Sequence, residues 1–515
     1  MASKRAAAMS GADGWSRRGV IAGGAALVAV GDVAKAVTVH ETMTAPDGQY
    51  RSIASEFAQA RAFKGIRYAR AARFQPPVPV RSAEQWGADK FVDDFGPACP
   101  QQGPRYQPQS EDCLFLNVWA PGQDVPGQHA AGKRPVMVYI HGGAYSGGSV
   151  TDPLNDGAKL AIRGDVVVVT VNHRLNALGY LYLPDRFPDS GNNGQLDLIC
   201  ALQWVRRNIA AFGGDPGNVT VFGQSGGGAK IATLMAMPAA KGLFHKAITM
   251  SGQQVTASGP LHAARRAEAF LAKLGNGVDP ATAPVEQLVA ALSASDPIMG
   301  GGLYMGPVLD MRSLNRHPFW PDAAPQSLGL PILLGNCVME TRAFLSSDRA
   351  PLKGLGWSNL ASRLGPEMKI DIDPAWVLAQ FRARYPAAEP LELFHRIVTA
   401  ARSWRGQVEE AEARAKAGRG NTFVYQLDFE QAKHTDDIGL SFGTFENPTP
   451  ARQAMSDTVM AAYVRFARTG NPGWPAYDLN QRRTMVFDAP SRVVSNPRAW
   501  ERELFARAPY IQPGS

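Results

Sequence analysis

The sequence predicts an α/β fold, a doubly wound and mostly parallel sheet roofed by helical insertions, and three observations carry that prediction. From about Val136 onward short apolar, β-branched runs recur: "VMVYI", "VVVVTVN", "NVTVFG", "AITMSG", "PILLGN" and "FVYQLDF", most of them ending in Gly, Asn or Asp. Runs that are apolar at nearly every position suit parallel strands covered on both faces. Between the second and third runs, Leu196, Ile199, Leu202, Val205 and Ile209 recur every three to four residues, which predicts a helix ending before Phe212-Gly213-Gly214. The composition, 45% hydrophobic and 19% charged, is that of a folded soluble chain and excludes a disordered one. Strand and helix in alternation then give the doubly wound sheet. Residues 255–330 and 345–420 are richer in Ala, Pro and polar helix and read as insertions over the sheet, so residues 37–515 form a single domain without internal repeats.

The first 36 residues have a separate meaning. "SRRGVIAGGAALVAV" sets Arg17 and Arg18 directly before a short Ala/Gly-rich apolar run, and "VAKA" places small residues at Ala34 and Ala36. The run is too short for the ~20 residues that span a bilayer, so the segment reads as a twin-arginine export signal, residues 1–36, cleaved after Ala36. Export to the periplasm or the medium follows, without stable membrane insertion. This segment holds +3 of the formal net charge of +8. The remaining +5 is spread over a long chain without a Lys/Arg block, which makes no electrostatic case for nucleic acid.

The four cysteines suit an exported chain. Cys99 in "GPACPQQG" and Cys113 in "SEDCLFLN" lie in a Pro/Gly-rich, surface-like stretch, and a disulfide closing so short a loop contributes about 3 kcal/mol. Cys200, on an apolar helical face, and Cys337, beside a strand, read as small buried hydrophobes. With neither a C-x-x-C spacing nor a His/Cys cluster, no metal site and no cofactor are expected.

The chemistry is sought at the carboxyl ends of the strands, where reactive groups gather in open α/β sheets. "NVTVFGQSGGGAKIATLMAM" supplies a strand, a sharp turn of small residues around Ser225, and a helix, the order a nucleophile elbow needs. Gly223, Gly228 and Lys230 also suggest a phosphate loop. That reading fails on spacing, because Ala229 separates the last glycine from Lys230 and Ile231 follows it. A second G-x-S-x-G match, Gly439 to Gly443, puts Ser441 after no strand and before "TFENPTP", which is not expected to start a helix, so Ser441 reads as a loop serine.

A serine nucleophile needs a base, and in this layout the order is nucleophile, acid, histidine. Only His395 and His434 follow the fifth strand-like run. His395 lies inside an amphipathic helix, where packing is the simpler role, whereas His434 follows "NTFVYQLDF" on a loop that returns over the sheet. Glu340, in "PILLGNCVMETRAF", is the carboxylate of the loop after the preceding strand and would hold the imidazole in one tautomer; Asp310 is the weaker candidate. "YIHGGAYSGGS" supplies a glycine-rich loop whose N–H groups, with that of Gly226, can meet a developing oxyanion.

With these residues in place the sequence resembles the type-B carboxylesterase family, the cholinesterase-like branch of the α/β-hydrolases. "EDCLFLNVWAP" and "FGGDPGNVTVFGQSGG" carry the match most specifically, with "FKGIRYA", "VNHRLNALGYL" and "FARTGNPGWPAY" in the expected order between Gly65 and Asp488. The resemblance implies a serine esterase acting on small-molecule esters, with Ser225 as nucleophile, His434 as base and acid, and Glu340 as third member. It also implies N–H donors at Gly143, Ala144 and Gly226, a supporting Ser251, and pairing of Cys99 with Cys113. Two departures bear on activity: Gln224 stands where Glu usually precedes the nucleophile, which disfavours choline-like substrates, and Ala144 replaces the third glycine, which narrows the loop against bulky tertiary-alcohol esters. A non-catalytic binding protein on the same fold, and an amidase or carbamate hydrolase using the same residues, are the alternatives; oligomeric state is not legible.

Overall fold

The apolar runs become the strands of a ten-stranded sheet in the computed structural model, which describes residues 41–53, 57, 59–81, 94–122, 133–348, 350–512 and 514. The twin-arginine segment lies outside the described residues. In chain order the strands are β1 (Ala60–Arg67), β2 (Phe115–Pro121), β3 (Arg134–Ile140), β4 (Val167–Val171), β5 (Gly214–Gln224), β6 (Lys246–Met250), β7 (Ile332–Cys337), β8 (Thr422–Leu427), β9 (Thr484–Phe487) and β10 (Arg492–Val494). Their order across the sheet is β10-β9-β8-β7-β6-β5-β3-β4-β2-β1. Strands β3 to β9 pair in parallel, while β2 against β4, β1 against β2 and β10 against β9 are antiparallel.

The continuous apolar runs have a simple cause: each strand feeds two cores. Val136, Val138 and Ile140 of β3 point into one cluster with Leu198, Leu202 and Val205 of helix α1 (Asn193–Asn208). The intervening Met137 and Tyr139 point to the opposite face, against Met455, Val459 and Phe466 of α10 (Pro450–Thr469). A period of two with both faces covered leaves no polar position.

The helices that carry or flank the site are α2 (Gly226–Leu234), which follows β5, then α3 (Pro260–Leu274) and α4 (Val285–Ala291) in the first insertion. The second insertion holds α5 (Leu360–Met368), α6 (Pro374–Arg384), α7 (Pro390–Val398) and α8 (Arg405–Lys416). This second insertion is more than a cover. Leu360, Leu364, Val377, Phe381, Leu393 and Ile397 form a third apolar cluster with Leu504 and Phe505 of α11 (Ala499–Phe505).

Three local expectations are corrected. Ser441 is not in a loop: it is buried in α9 (Asp436–Phe442), its hydroxyl donating to the Ile438 carbonyl at 2.9 Å. "TFENPTP" does start a helix, at its last two residues, because Thr449 caps α10 by accepting from the Arg452 N–H and Pro450 occupies the first turn, where its missing N–H costs nothing. Cys99 and Cys113 are also buried rather than near the surface.

Candidate active site

Strand β5 ends at Gln224, and the next residue takes a backbone conformation that few L-residues adopt: Ser225 has φ 56° and ψ −125°. What holds it there is close packing. The Ser225 N–H donates to the Met250 carbonyl at 2.7 Å, and the turn is pressed from two sides by glycines that must stay glycines. A methyl group at Gly252 would lie 1.9 Å from the Ser225 carbonyl oxygen, and one at Gly226 would lie 2.1 Å from that of Ala144. Ser225 is half-buried at the carboxyl end of the sheet, directly before α2.

Two strands further along, Glu340 lies on the turn after β7 and is wholly buried. Its Oε1 accepts from the Ser251 hydroxyl at 2.6 Å, the Cys337 N–H at 2.7 Å and the Asn336 amide at 3.2 Å. Its Oε2 accepts from Nδ1 of His434, on the loop after β8, and the His434 N–H donates to the Glu340 carbonyl at 3.3 Å. A carboxylate here only accepts, so Nδ1 carries the proton and Nε2 is left as the basic nitrogen. Burial acts most strongly on His434 and disfavours its charged form, but the charge and hydrogen bond of Glu340, helped by Asp437, outweigh it and hold the imidazole above its usual value. The Phe344 ring meets the imidazole edge-on at 5.5 Å. Glu340, Ser251 and His434 are thus joined, while the Ser225 hydroxyl makes no hydrogen bond to His434; such bonds often tighten only once substrate is present.

The glycine loop after β3 packs against this elbow. Gly143 and Ala144 both have positive φ, 88° and 53°. The Gly143 carbonyl turns inward to accept from the N–H groups of Ser146 and Gly147 at 3.1 and 3.0 Å. Among the described residues the Gly143 and Ala144 N–H groups donate to no protein acceptor, and the Gly226 N–H, in the first turn of α2, has no intrahelical partner. Gln101 braces the loop, accepting from the Gly148 N–H at 2.7 Å and donating to the carbonyls of Gly148 and Cys99. A cavity of about 390 Å³ opens beside it, lined among others by Tyr106, Gly142, Gly143, Gln224 and Thr435. Gln224 is buried, its Nε2 without a partner. Cys99 and Cys113 are buried free thiols, and the neighbouring Cys99 together with burial pushes the Cys113 thiol up.

The weaker candidates have structural work. Asp310 accepts from Asn192 at 3.0 Å and Ser313 at 2.7 Å in its own turn. His395 is buried against the Thr341 hydroxyl at 2.9 Å, and burial lowers it to about 4. One acid near the site escaped the sequence reading, and Lys230 entered it only as part of the rejected phosphate loop. Asp437, three residues past His434, is buried, accepts from the Tyr425 hydroxyl at 3.1 Å, and is pushed up to about 7 by burial and then by the Glu340 charge. The pair of carboxylates in "HTDD" was a visible signal for it. Lys230, on α2, is wholly buried, and its signal was a lone lysine inside an apolar helix. Among the described residues no His/Cys/Asp/Glu group is arranged to hold a metal ion, and no helix is long and apolar enough to cross a membrane.

Sheet order, elbow and loop together define an α/β-hydrolase. The chain belongs to the Carboxylesterase family, whose profile matches residues 36–503. It is 35% identical to the para-nitrobenzyl esterase of Bacillus subtilis over 86% of this chain and 94% of that one. It is 30% identical to the medium-chain fatty acyl-CoA hydrolase precursor of Anas platyrhynchos over 90% of both chains. Among solved structures, a carboxylesterase of Geobacillus stearothermophilus superposes with a TM-score of 0.77 at 33% identity, covering 90% of this chain and 99% of that one. This chain is accordingly a carboxylic-ester hydrolase.

Proposed function

We propose that the ester is cleaved through an acyl-enzyme with Ser225 as nucleophile, His434 as base and then acid, and Glu340 as the group that orients and stabilises the imidazole. The Ser225 oxygen attacks the ester carbonyl carbon as Nε2 of His434 takes its proton. The carbonyl becomes an oxyanion met by the N–H groups of Gly143, Ala144 and Gly226. Collapse expels the alcohol, which receives the proton from His434, and the same steps with water release the acid. The observation that carries this reading is the buried Glu340 bonded to Nδ1 of His434, at the same sheet end as the strained Ser225 turn. Ser251 supports the acid by its hydrogen bond, and neutral Gln224 puts no charge directly before the nucleophile, the cavity's Asp152 being paired with Arg105, which fits neutral small-molecule esters. An organophosphonate is expected to label Ser225 stoichiometrically, and Ser225→Ala to lose at least about 10³-fold in kcat; full activity in Ser225→Ala rules the mechanism out.

The same proposal includes export by the twin-arginine segment with cleavage after Ala36, and oxidation of Cys99 and Cys113 to a disulfide afterwards, as their burial side by side permits. Thiol titration of the denatured, exported protein is expected to count two free thiols, from Cys200 and Cys337; a count of four refutes the disulfide.

A further inference from the structure

The lysine that first suggested a phosphate loop has no role in the mechanism above, yet its surroundings are unusual. Lys230 is wholly buried, and burial alone brings its amine down to about 7. Among the described residues no carboxylate pairs with it. Its Nζ donates to the His141 carbonyl at 3.2 Å and sits 5.5 Å from the centre of the Tyr145 ring. The titratable groups facing it are His141 and Tyr145, from the loop after β3, and His173, from the loop after β4. The two imidazoles stack with their centres 4.7 Å apart, and burial followed by the Lys230 charge lowers both, His141 to about 3. A buried ammonium without a counter-ion is costly, and a residue needed only to fill this space would be better apolar.

The link it makes is between the two pieces of the oxyanion site. Helix α2 carries the Gly226 N–H, and the glycine loop carries those of Gly143 and Ala144, two and three residues beyond His141. Beyond Ala144 the loop is held again, since the Tyr145 hydroxyl donates to Gln254 Oε1 at 2.9 Å and the Gln254 N–H donates to Glu410 at 2.7 Å. We propose that Lys230 is a positioning residue that grips the His141 carbonyl and so sets the glycine loop against the elbow helix, making the three N–H groups converge on one oxygen. The inference rests on the oxyanion reading of Gly143, Ala144 and Gly226.

The test is Lys230→Met, which keeps the volume and removes the donor. The readouts are the thermal midpoint, kcat and KM on a p-nitrophenyl ester, and affinity for an alkyl trifluoromethyl ketone, whose adduct with the nucleophile is a tetrahedral alkoxide. With the buried ammonium gone, the midpoint is expected to hold or rise. KM should stay within about twofold while kcat falls about 10- to 100-fold, because misplaced oxyanion donors cost rate rather than binding. Ketone affinity should fall by the same factor as kcat/KM. Wild-type kcat, or a kcat loss without a loss of ketone affinity, overturns the proposal. Lys230→Gln, neutral and too short to reach the His141 carbonyl, is the second variant: once folded it is expected to lose kcat likewise, and full kcat in it overturns the proposal even if the methionine variant fails to fold. Ser225→Ala separates this inference from its parent: an inert Ser225→Ala beside a fully active Lys230→Met overturns only the role of Lys230, whereas an active Ser225→Ala overturns the reading beneath it.

Discussion

On the proposed acid–base side of the site, Glu340 accepts from three donors besides His434, so its place is determined by two side chains and one backbone N–H at two neighbouring strand ends. On the proposed oxyanion side, Gly143, Ala144 and Gly226 present backbone N–H groups whose place depends on how closely one loop approaches another, with a gap at Gly226 too small for a methyl group. The first half is redundant, which predicts that it survives the loss of one supporting bond. The second is steric, and a single carbon atom in the wrong place displaces the whole loop.

Four substitutions sharpen that contrast. Glu340→Gln keeps the shape but lets the amide donate to or accept from Nδ1, so the tautomer is no longer held, and kcat is expected to fall about 10³- to 10⁴-fold. Its pH profile is the second readout. In the wild type kcat/KM should rise with pH through a value above 6.5, because the base must be neutral and Glu340 holds the proton on. Without that charge burial dominates and the rising limb moves to lower pH. The sign for stability runs the same way: the raised His434 contributes stability that is complete below about 6.5 and lost as pH climbs through its folded value, so the gap in melting midpoint between wild type and Glu340→Gln should narrow toward alkaline pH. An unmoved limb would show that Glu340 does not set the imidazole.

Gly226→Ala is expected to lose about 10²- to 10³-fold in kcat, with a lower melting midpoint, since its methyl must push Ala144 away. Near-wild-type kcat would mean that the contact yields easily. Ser251→Ala leaves Glu340 the Asn336 and Cys337 donors, so kcat/KM should fall only about tenfold; a loss equal to that of Glu340→Gln would remove the claim of redundancy. The smallest effect is expected from Ala144→Gly. Relief of its left-handed backbone, about 1 kcal/mol, is offset by the extra flexibility of glycine, so stability changes by less than about 1 kcal/mol. Activity on primary-alcohol esters should hold while the rate on tertiary-alcohol esters rises relative to it, as competition assays can measure.

Much of the fold was legible because parallel strands buried on both faces leave an unmistakable run, as in "VMVYI" and "PILLGN". The turn at Ser225 was legible because an elbow needs strand, small residues and helix in one contiguous stretch. Ser441 shows the limit: its loop assignment failed because the helix containing it is short and buried nearly throughout, with Phe442 packed on Tyr139 and Phe222 of strands far earlier in the chain. The third apolar cluster was missed for the same reason, since α11 joins α5 to α7 from about a hundred residues further along the chain.

The sequence by itself determined the strand order along the chain and the sharp turn at Ser225, and it pointed to His434 and Glu340 as candidate partners, because these follow from local pattern and from the order in which strand ends come together. Only the tertiary structure decided that Ser251, Asn336 and the Cys337 N–H converge on one carboxylate oxygen, that Asp437 lies buried behind the imidazole, and that Lys230 reaches the His141 carbonyl. Those are relations between residues brought together by packing, and desolvation, which sets their protonation, exists only once the surrounding atoms have excluded water.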